Sequence, residues 1–250
     1  MRILRALWRL IGLCLLTAPA YVLFLLAGLF GGKGRPWLRR TWARSVARLL
    51  GVEVRTTGSA PRPPFVLVSN HLSYLDVLTL MSELDCVFVA KSEIAGWPVL
   101  GLLARTTGTI FVERGRRSQI PKVLDSLSSA LAGGNGVVFF PEGTSSRGAT
   151  VLPFKASLFE AALRTALPVH TAGLHYDVPA GANPAWLSVA WWGDMTFIDH
   201  FLRLLTLPRI RARITFGDVI TDGADRKALA VETHRAVTAA FEPLVECDAS

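Results

Sequence analysis

An imidazole and a carboxylate five residues apart, His71 and Asp76, lie in the stretch "NHLSYLD", directly behind the apolar run "PFVLVS". Residues five apart on an ideal helix point about 140° away from each other, so the two cannot pair if both are helical. With Ser73 as N-cap, His71 falls in the turn before the helix. Asp76 then occupies the third helical position, its side chain leaning back toward the N-terminus. The carboxylate can hold one imidazole nitrogen and leave the other free, the arrangement of a general base with its tautomer fixed. A purely structural reading stands beside this one. Ser73-x-x-Asp76 ahead of an apolar stretch is a capping-box pattern, which accounts for Ser73 and Asp76 but not for Asn70 and His71.

Positioning such a pair calls for strands that end at one place. Short runs rich in β-branched and aromatic residues read as strands: "VEVRTT", "FVLVS", "CVFVA", "TIFVE", "GVVFF", "LPVHTAGL", "LSVAWW" and "RARITFGDV". Helical patterns start near Ser73, Pro98, Ser118, Pro153, Asp199 and Asp225. The alternation predicts an α/β fold, a mixed, mostly parallel sheet covered by helices on both faces. Ligands of such sheets sit at the carboxyl ends of strands. Polar residues fall there: Asn70 and His71, then Lys91, then Glu113 and Arg114, then Glu142, Gly143 and Thr144.

The chain has 250 residues, 51% of them hydrophobic, and a net charge of +8. The charge is uneven. Residues 1–50 hold nine Lys and Arg and no acid, leaving 18 bases against 19 acids in the rest. A nucleic-acid binder more often carries its basic patch on the folded body, so that class is disfavoured. Between the basic flanks, "LIGLCLLTAPAYVLFLLAGLF" has no charge. Its 21 residues reach about 30 Å as a helix, the hydrocarbon thickness of a bilayer. A signal sequence cleaved after Ala18-Pro19-Ala20, a single span, and a hairpin bent at Pro19 all fit this segment; a membrane anchor is the expectation. "WLRRTWARSVARLLGVEV" follows with basic amphipathic spacing suited to a lipid surface or to packing on the domain. The division is therefore 1–50 as anchor and basic helix, and 51–250 as one domain. Cys14, Cys86 and Cys247 are too scattered for a disulfide framework or a metal site. His170 and His175 fall on opposite strand faces, and His200 and His234 read as surface residues.

Over residues 65–175 the chain resembles the 1-acylglycerol-3-phosphate (lysophosphatidate) acyltransferases of the glycerolipid acyltransferase group. Asn70, His71 and Asp76 meet the family's N-H-x-x-x-x-D block, and Phe111 and Arg114 its F-x-x-R block. "FPEGTSS", Phe140 to Ser146, matches F-P-E-G-T-R-S, with Ser145 where phosphate-acylating members carry Arg and Arg147 close behind. The fourth block keeps Pro168 and has Thr171 where a second proline is expected.

The resemblance implies a membrane-bound O-acyltransferase on the cytoplasmic face of the inner membrane, acting without cofactor or metal. His71 would take the proton from a lysophospholipid hydroxyl, which attacks the thioester of acyl-CoA or an acyl carrier protein, and Asp76 would orient the imidazole. Asn70, Lys91, Phe111, Arg114, Glu142, Gly143, Thr144, Ser145 and Arg147 would line the substrate site. Lysophosphatidate is the first expected acceptor and lyso-ornithine lipid the alternative. From a different class, a non-catalytic lipid-surface binding protein is disfavoured by the intact His71, Asp76 and Glu142. A serine hydrolase is disfavoured by the missing G-x-S-x-G elbow.

Overall fold

The computed structural model describes residues 1–29, 34–113, 120–165, 167–221 and 223–245. Helices α1 (Arg2–Leu29) and α2 (Arg35–Leu50) precede β1 (Val52–Thr57) and β2 (Phe65–Ser69). Next come α3 (Leu75–Glu83), β3 (Cys86–Lys91), α4 (Leu100–Thr106), β4 (Ile110–Val112), α5 (Ile120–Ala132) and β5 (Gly136–Phe139). The chain continues through α6 (Phe159–Thr165), β6 (Val169–Asp177), α7 (Ala185–Ser188), α8 (Phe197–Thr206), β7 (Ile210–Ile220) and α9 (Arg226–Ala240). The strands form one sheet in the order β1-β7-β6-β2-β5-β3-β4. Every neighbouring pair is parallel except β6 with β7.

Central β2 is buried at all five positions, as expected of a parallel strand covered on both faces. Its side chains alternate between two cores. Phe65 and Leu67 join a cluster with Val46 and Leu50 of α2, Leu75 and Leu80 of α3, and Leu204 and Leu205 of α8. Val66 and Val68 join a second cluster with Leu124 and Leu127 of α5, Phe159 of α6 and Val237 of α9. The period-two alternation thus turns one apolar strand into the contact between two helical layers.

Helix α1 runs unbroken through Pro19 and is long and apolar enough to cross a membrane. The bend of the hairpin reading is not present. One side of α1 is packed on the domain: Gly12 lies against Leu49, and Trp42 Nε1 donates to Thr17 Oγ1 at 3.3 Å. Arg9, 4% exposed, donates to the carbonyls of Leu49, Leu205 and Leu207 at 3.0, 3.0 and 2.6 Å. Arg5 donates to Thr206 O at 2.7 Å. Both arginines therefore satisfy carbonyls that the end of α8 leaves without helical partners. Gly51 closes α2 at φ +76°, and a Cβ there would stand 2.5 Å from the Arg9 guanidinium.

The basic helix α2 is built into the first core through Ala43, Val46, Ala47 and Leu50. Three of its arginines bind the domain rather than facing away from it. Arg39 donates to Thr107 O and Asn135 Oδ1, Arg44 to Ser82 O, and Arg40 lies 3.8 Å from Asp85.

One expected strand is absent. "LSVAWW" begins inside α7 and then runs as a loop, Trp191 N donating to Leu72 O at 2.8 Å. Its aromatic and β-branched content reflects burial against the turn that carries His71, a tertiary demand that strand propensity does not distinguish. Helix α9 starts where its Asp225 cap predicts, the carboxylate accepting from Lys227 N and Ala228 N at 2.7 and 2.9 Å.

Candidate active site

Strand β2 ends at Ser69, and the next residues turn sharply before α3. In that turn His71 Nδ1 lies 2.7 Å from Asp76 Oδ2. The same oxygen accepts from Leu72 N and Ser73 N at 2.7 and 3.0 Å, and Oδ1 accepts from Tyr176 O–H at 2.8 Å. A carboxylate taking backbone donors on this side fixes the imidazole proton on Nδ1 and leaves the lone pair on Nε2. Asp76 is fully buried, while the His71 side chain is 21% exposed. Phe140 lies flat on the imidazole, the ring centroids 4.1 Å apart.

The capping expectation is half met. Helix α3 begins at Leu75, with Tyr74 as its cap, and the Ser73 hydroxyl is buried without a hydrogen-bond partner. Asp76 takes the capping role in place of Ser73, its carboxylate meeting His71 Nδ1, Leu72 N, Ser73 N and the Tyr176 hydroxyl, a set that one serine hydroxyl cannot replace.

Asn70 is not available to a ligand. Its carboxamide is buried, donates to Leu174 O at 3.1 Å and accepts from Leu174 N at 2.7 Å, clasping β6. Glu142 likewise faces backbone. Its Oε1 accepts from His71 N at 2.8 Å and its Oε2 from Leu152 N at 3.2 Å. Burial pushes its carboxyl up to about 8, against the two amide bonds that favour the charged form. Gly143 turns the chain after it at φ +75°, with its N–H on Phe140 O, a conformation glycine reaches without a Cβ clash.

Thr144 and Arg147 are exposed in the loop that follows. Ser145 donates its hydroxyl to Trp191 O, and Ser146 N donates to His71 O at 3.0 Å. The loop is thereby joined to both the His71 turn and the Trp191 segment. Lys91 ends β3 and pairs in register with Val112, next to Phe111 of β4, and both side chains are partly buried. Arg114 lies outside the described residues. Thr171, in place of the second proline, donates to Asp218 O at 2.7 Å beside the bulge between His170 and Ala172.

Four contributors were not among the expected site residues. Phe140, inside a quoted block, supplies the stacking surface. Trp191 supplies the loop contact. Tyr176 reaches Asp76 from β6, its phenol forced by the strand alternation onto the same face as Ala172 and Leu174. A tyrosine on an apolar strand face needs a partner for its hydroxyl, and that was the available signal. His200 is the fourth. Expected at the surface, it is 3% exposed, with Nδ1 2.9 Å from Tyr74 O–H inside a group of rings that includes Trp97, Trp191, Phe197 and Phe201. The face of α8 that it shares with Leu204 points inward, which a single histidine in an amphipathic stretch does not reveal.

A family model described as Acyltransferase matches residues 51–175. The chain is 36% identical over 217 residues to the lyso-ornithine lipid O-acyltransferase of Rhizobium meliloti, covering 82% of this chain and 73% of that one. It belongs to the acyltransferase family. The 1-acyl-sn-glycerol-3-phosphate acyltransferase of Neisseria meningitidis is 31% identical over 200 residues, 78% of this chain and 77% of the relative. Among solved structures, the 1-acyl-sn-glycerophosphate acyltransferase PlsC from Thermotoga maritima has the same fold, with a TM-score of 0.67 at 18% identity over 96% of this chain and 95% of that one. In this acyltransferase both long motif blocks, Asn70 to Asp76 and Phe140 to Ser146, meet around a single imidazole.

Proposed function

We propose that this acyltransferase moves a fatty acyl group from the thioester of acyl-CoA or an acyl carrier protein to the hydroxyl of a lysolipid at the cytoplasmic face of the inner membrane. The observation that carries the reading is the 2.7 Å contact between buried Asp76 and the partly exposed His71. Nε2 takes the hydroxyl proton as the oxygen bonds to the thioester carbon. The imidazolium is stabilised by Asp76 and returns the proton to the departing thiolate as the C–S bond breaks. The nucleophile comes from the substrate, so no acyl-enzyme is required. Residues 51–250 carry the chemistry, with α1 providing the apolar surface that enters the membrane.

Two acceptor headgroups appear among the relatives, and Ser145 favours the zwitterionic one. At the position where phosphate-acylating members of the family place a cation, its hydroxyl is bonded to the Trp191 carbonyl. A phosphate monoester carries close to two negative charges and rewards convergent cations. We therefore rank lyso-ornithine lipid ahead of lysophosphatidate. Exposed Arg147 keeps lysophosphatidate as the second reading. Competition between the two at equal concentration in mixed vesicles tests the ranking; preferential acylation of lysophosphatidate reverses it, and acylation of neither rejects the lysolipid class.

A further inference from the structure

Asp76 has two oxygens in different settings. Oδ2 faces His71 and two backbone amides, whereas Oδ1 receives the Tyr176 hydroxyl at 2.8 Å. Thr79 Oγ1 lies 3.1 Å from the same phenol oxygen. Tyr176 has one proton and directs it at Asp76, so the Thr79 hydroxyl is the donor to Tyr176. The result is a buried chain running from Thr79 through Tyr176 and Asp76 to His71. Thr79 and Asp76 are 0% exposed and Tyr176 1%, so substrate cannot touch the first three groups.

We infer that Tyr176, polarised by Thr79, is a positioning residue that sets the basicity of His71 through the far oxygen of Asp76. A donor on Oδ1 withdraws charge from the carboxylate and weakens its hold on the imidazolium. Burial and the Asp76 charge hold the Tyr176 phenol well above its ordinary range, so it remains a donor wherever the enzyme works. Among the described residues, Tyr176 and Glu142 are the titratable groups whose side chains bond the pair, Tyr176 at Asp76 and Glu142 through the His71 amide. His200 is tied to Tyr74, and His175 to Asp177 and Glu242 O, so neither makes a hydrogen bond to the pair.

The sign follows from the charge. Removing the Tyr176 hydroxyl makes Asp76 a stronger partner for protonated His71. The imidazole titration and the acid limb of kcat/KM should then move to higher pH together. Tyr176→Phe should shift both by about half a unit or more, since hydrogen bonds to ionised groups are the strong class. Thr79→Val keeps the phenol and removes only its donor, so its shift should be smaller and in the same direction. Acceptor KM should change less than about twofold in either variant, because both side chains are sealed from substrate.

The experiment is a pH titration of the His71 imidazole by NMR on the full chain in detergent micelles, paired with pH–rate profiles, for the parent, Tyr176→Phe and Thr79→Val. Upward shifts ranked Tyr176→Phe above Thr79→Val support the role. Unchanged midpoints, with lowered thermal stability alone, would show that Tyr176 only fills the core and overturn it. Where Tyr176→Phe fails to fold, Thr79→Val decides by the same criterion. The inference rests on His71 as the base, and the two can fail separately. An active His71→Ala would remove the mechanism, whereas the imidazole titration reads the influence of Tyr176 with or without turnover.

Discussion

The rings of Phe140 and His71 are nearly parallel, 10° apart in plane and 4.1 Å between centroids. Phe140 directly follows β5 and belongs to the third motif block, so the block that shapes the loop also fixes the rotation of the imidazole. Stacked ring pairs contribute about 0.5–1.5 kcal/mol beyond their burial. Phe140→Leu keeps an apolar neighbour and loses the flat surface. Its kcat should fall by roughly 2- to 12-fold with acceptor KM little changed, as steady-state kinetics at saturating donor will show.

Removing the proposed base should be far more costly. His71→Ala should lose about 10²–10⁴-fold in kcat while retaining its fold. Asp76→Asn should lose less than His71→Ala, because the carboxylate orients and stabilises without accepting the substrate proton. Near-normal turnover by His71→Ala, with folding checked by circular dichroism, would exclude the proposed mechanism.

Glu142 predicts a pH-dependent stability. Its carboxyl is raised from 4.5 to about 8 by burial, so the fold favours the protonated form. That contribution is complete below about pH 4.5 and is lost as the pH climbs through about 8. Glu142→Gln stays neutral and should lack this loss, at the fixed cost of one backbone amide left without an acceptor. The Tm difference between the two proteins should therefore narrow or reverse between pH 5 and pH 9 in scanning calorimetry. Parallel pH profiles would show that Glu142 is charged in the fold throughout.

Arg9 fastens α1 to the end of α8 and to the last turn of α2. Arg9→Met keeps most of the stem and removes every donor. Hydrogen bonds from charged groups contribute about 1.5–3 kcal/mol, so Tm should drop by several degrees. Limited proteolysis should cut the variant between α1 and α2 faster than the parent. Equal protection would mean that the apolar contacts alone hold the helix.

Ser145→Arg tests the basis for the acceptor ranking. Placing a guanidinium where phosphate-acylating relatives carry one should raise the kcat/KM ratio of lysophosphatidate over lyso-ornithine lipid by about tenfold or more. An unchanged ratio would locate headgroup selection elsewhere.

Much of this was legible beforehand because the decisive signals are local. Strands β1 and β2 coincide with "VEVRTT" and "FVLVS", where apolar runs end at clear breakers, and the His71–Asp76 geometry follows from one helix start. The mixed, mostly parallel sheet was expected from alternating elements. What escaped reading depends on partners distant in sequence. Tyr176 meets Asp76 across a hundred residues, and Asn70 meets Leu174 across 104. Asn70 and Glu142 look like ligand-binding residues because they are polar in a motif, yet both bond backbone. "LSVAWW" has strand composition but leaves α7 as a loop whose Trp191 is bonded to the His71 turn and to Ser145.

The packing of α1 has a mechanical consequence. A helix joined to a domain by a flexible linker lets that domain tumble, so the catalytic group visits many heights and angles. Here Arg5 and Arg9 clamp one end of the helix, and Thr17 is joined to Trp42 farther along it. Helix and domain therefore move as one body. Any surface that holds α1 sets the altitude and tilt of His71 in every molecule alike, so in the proposed reaction acceptor hydroxyls meet the imidazole at one depth.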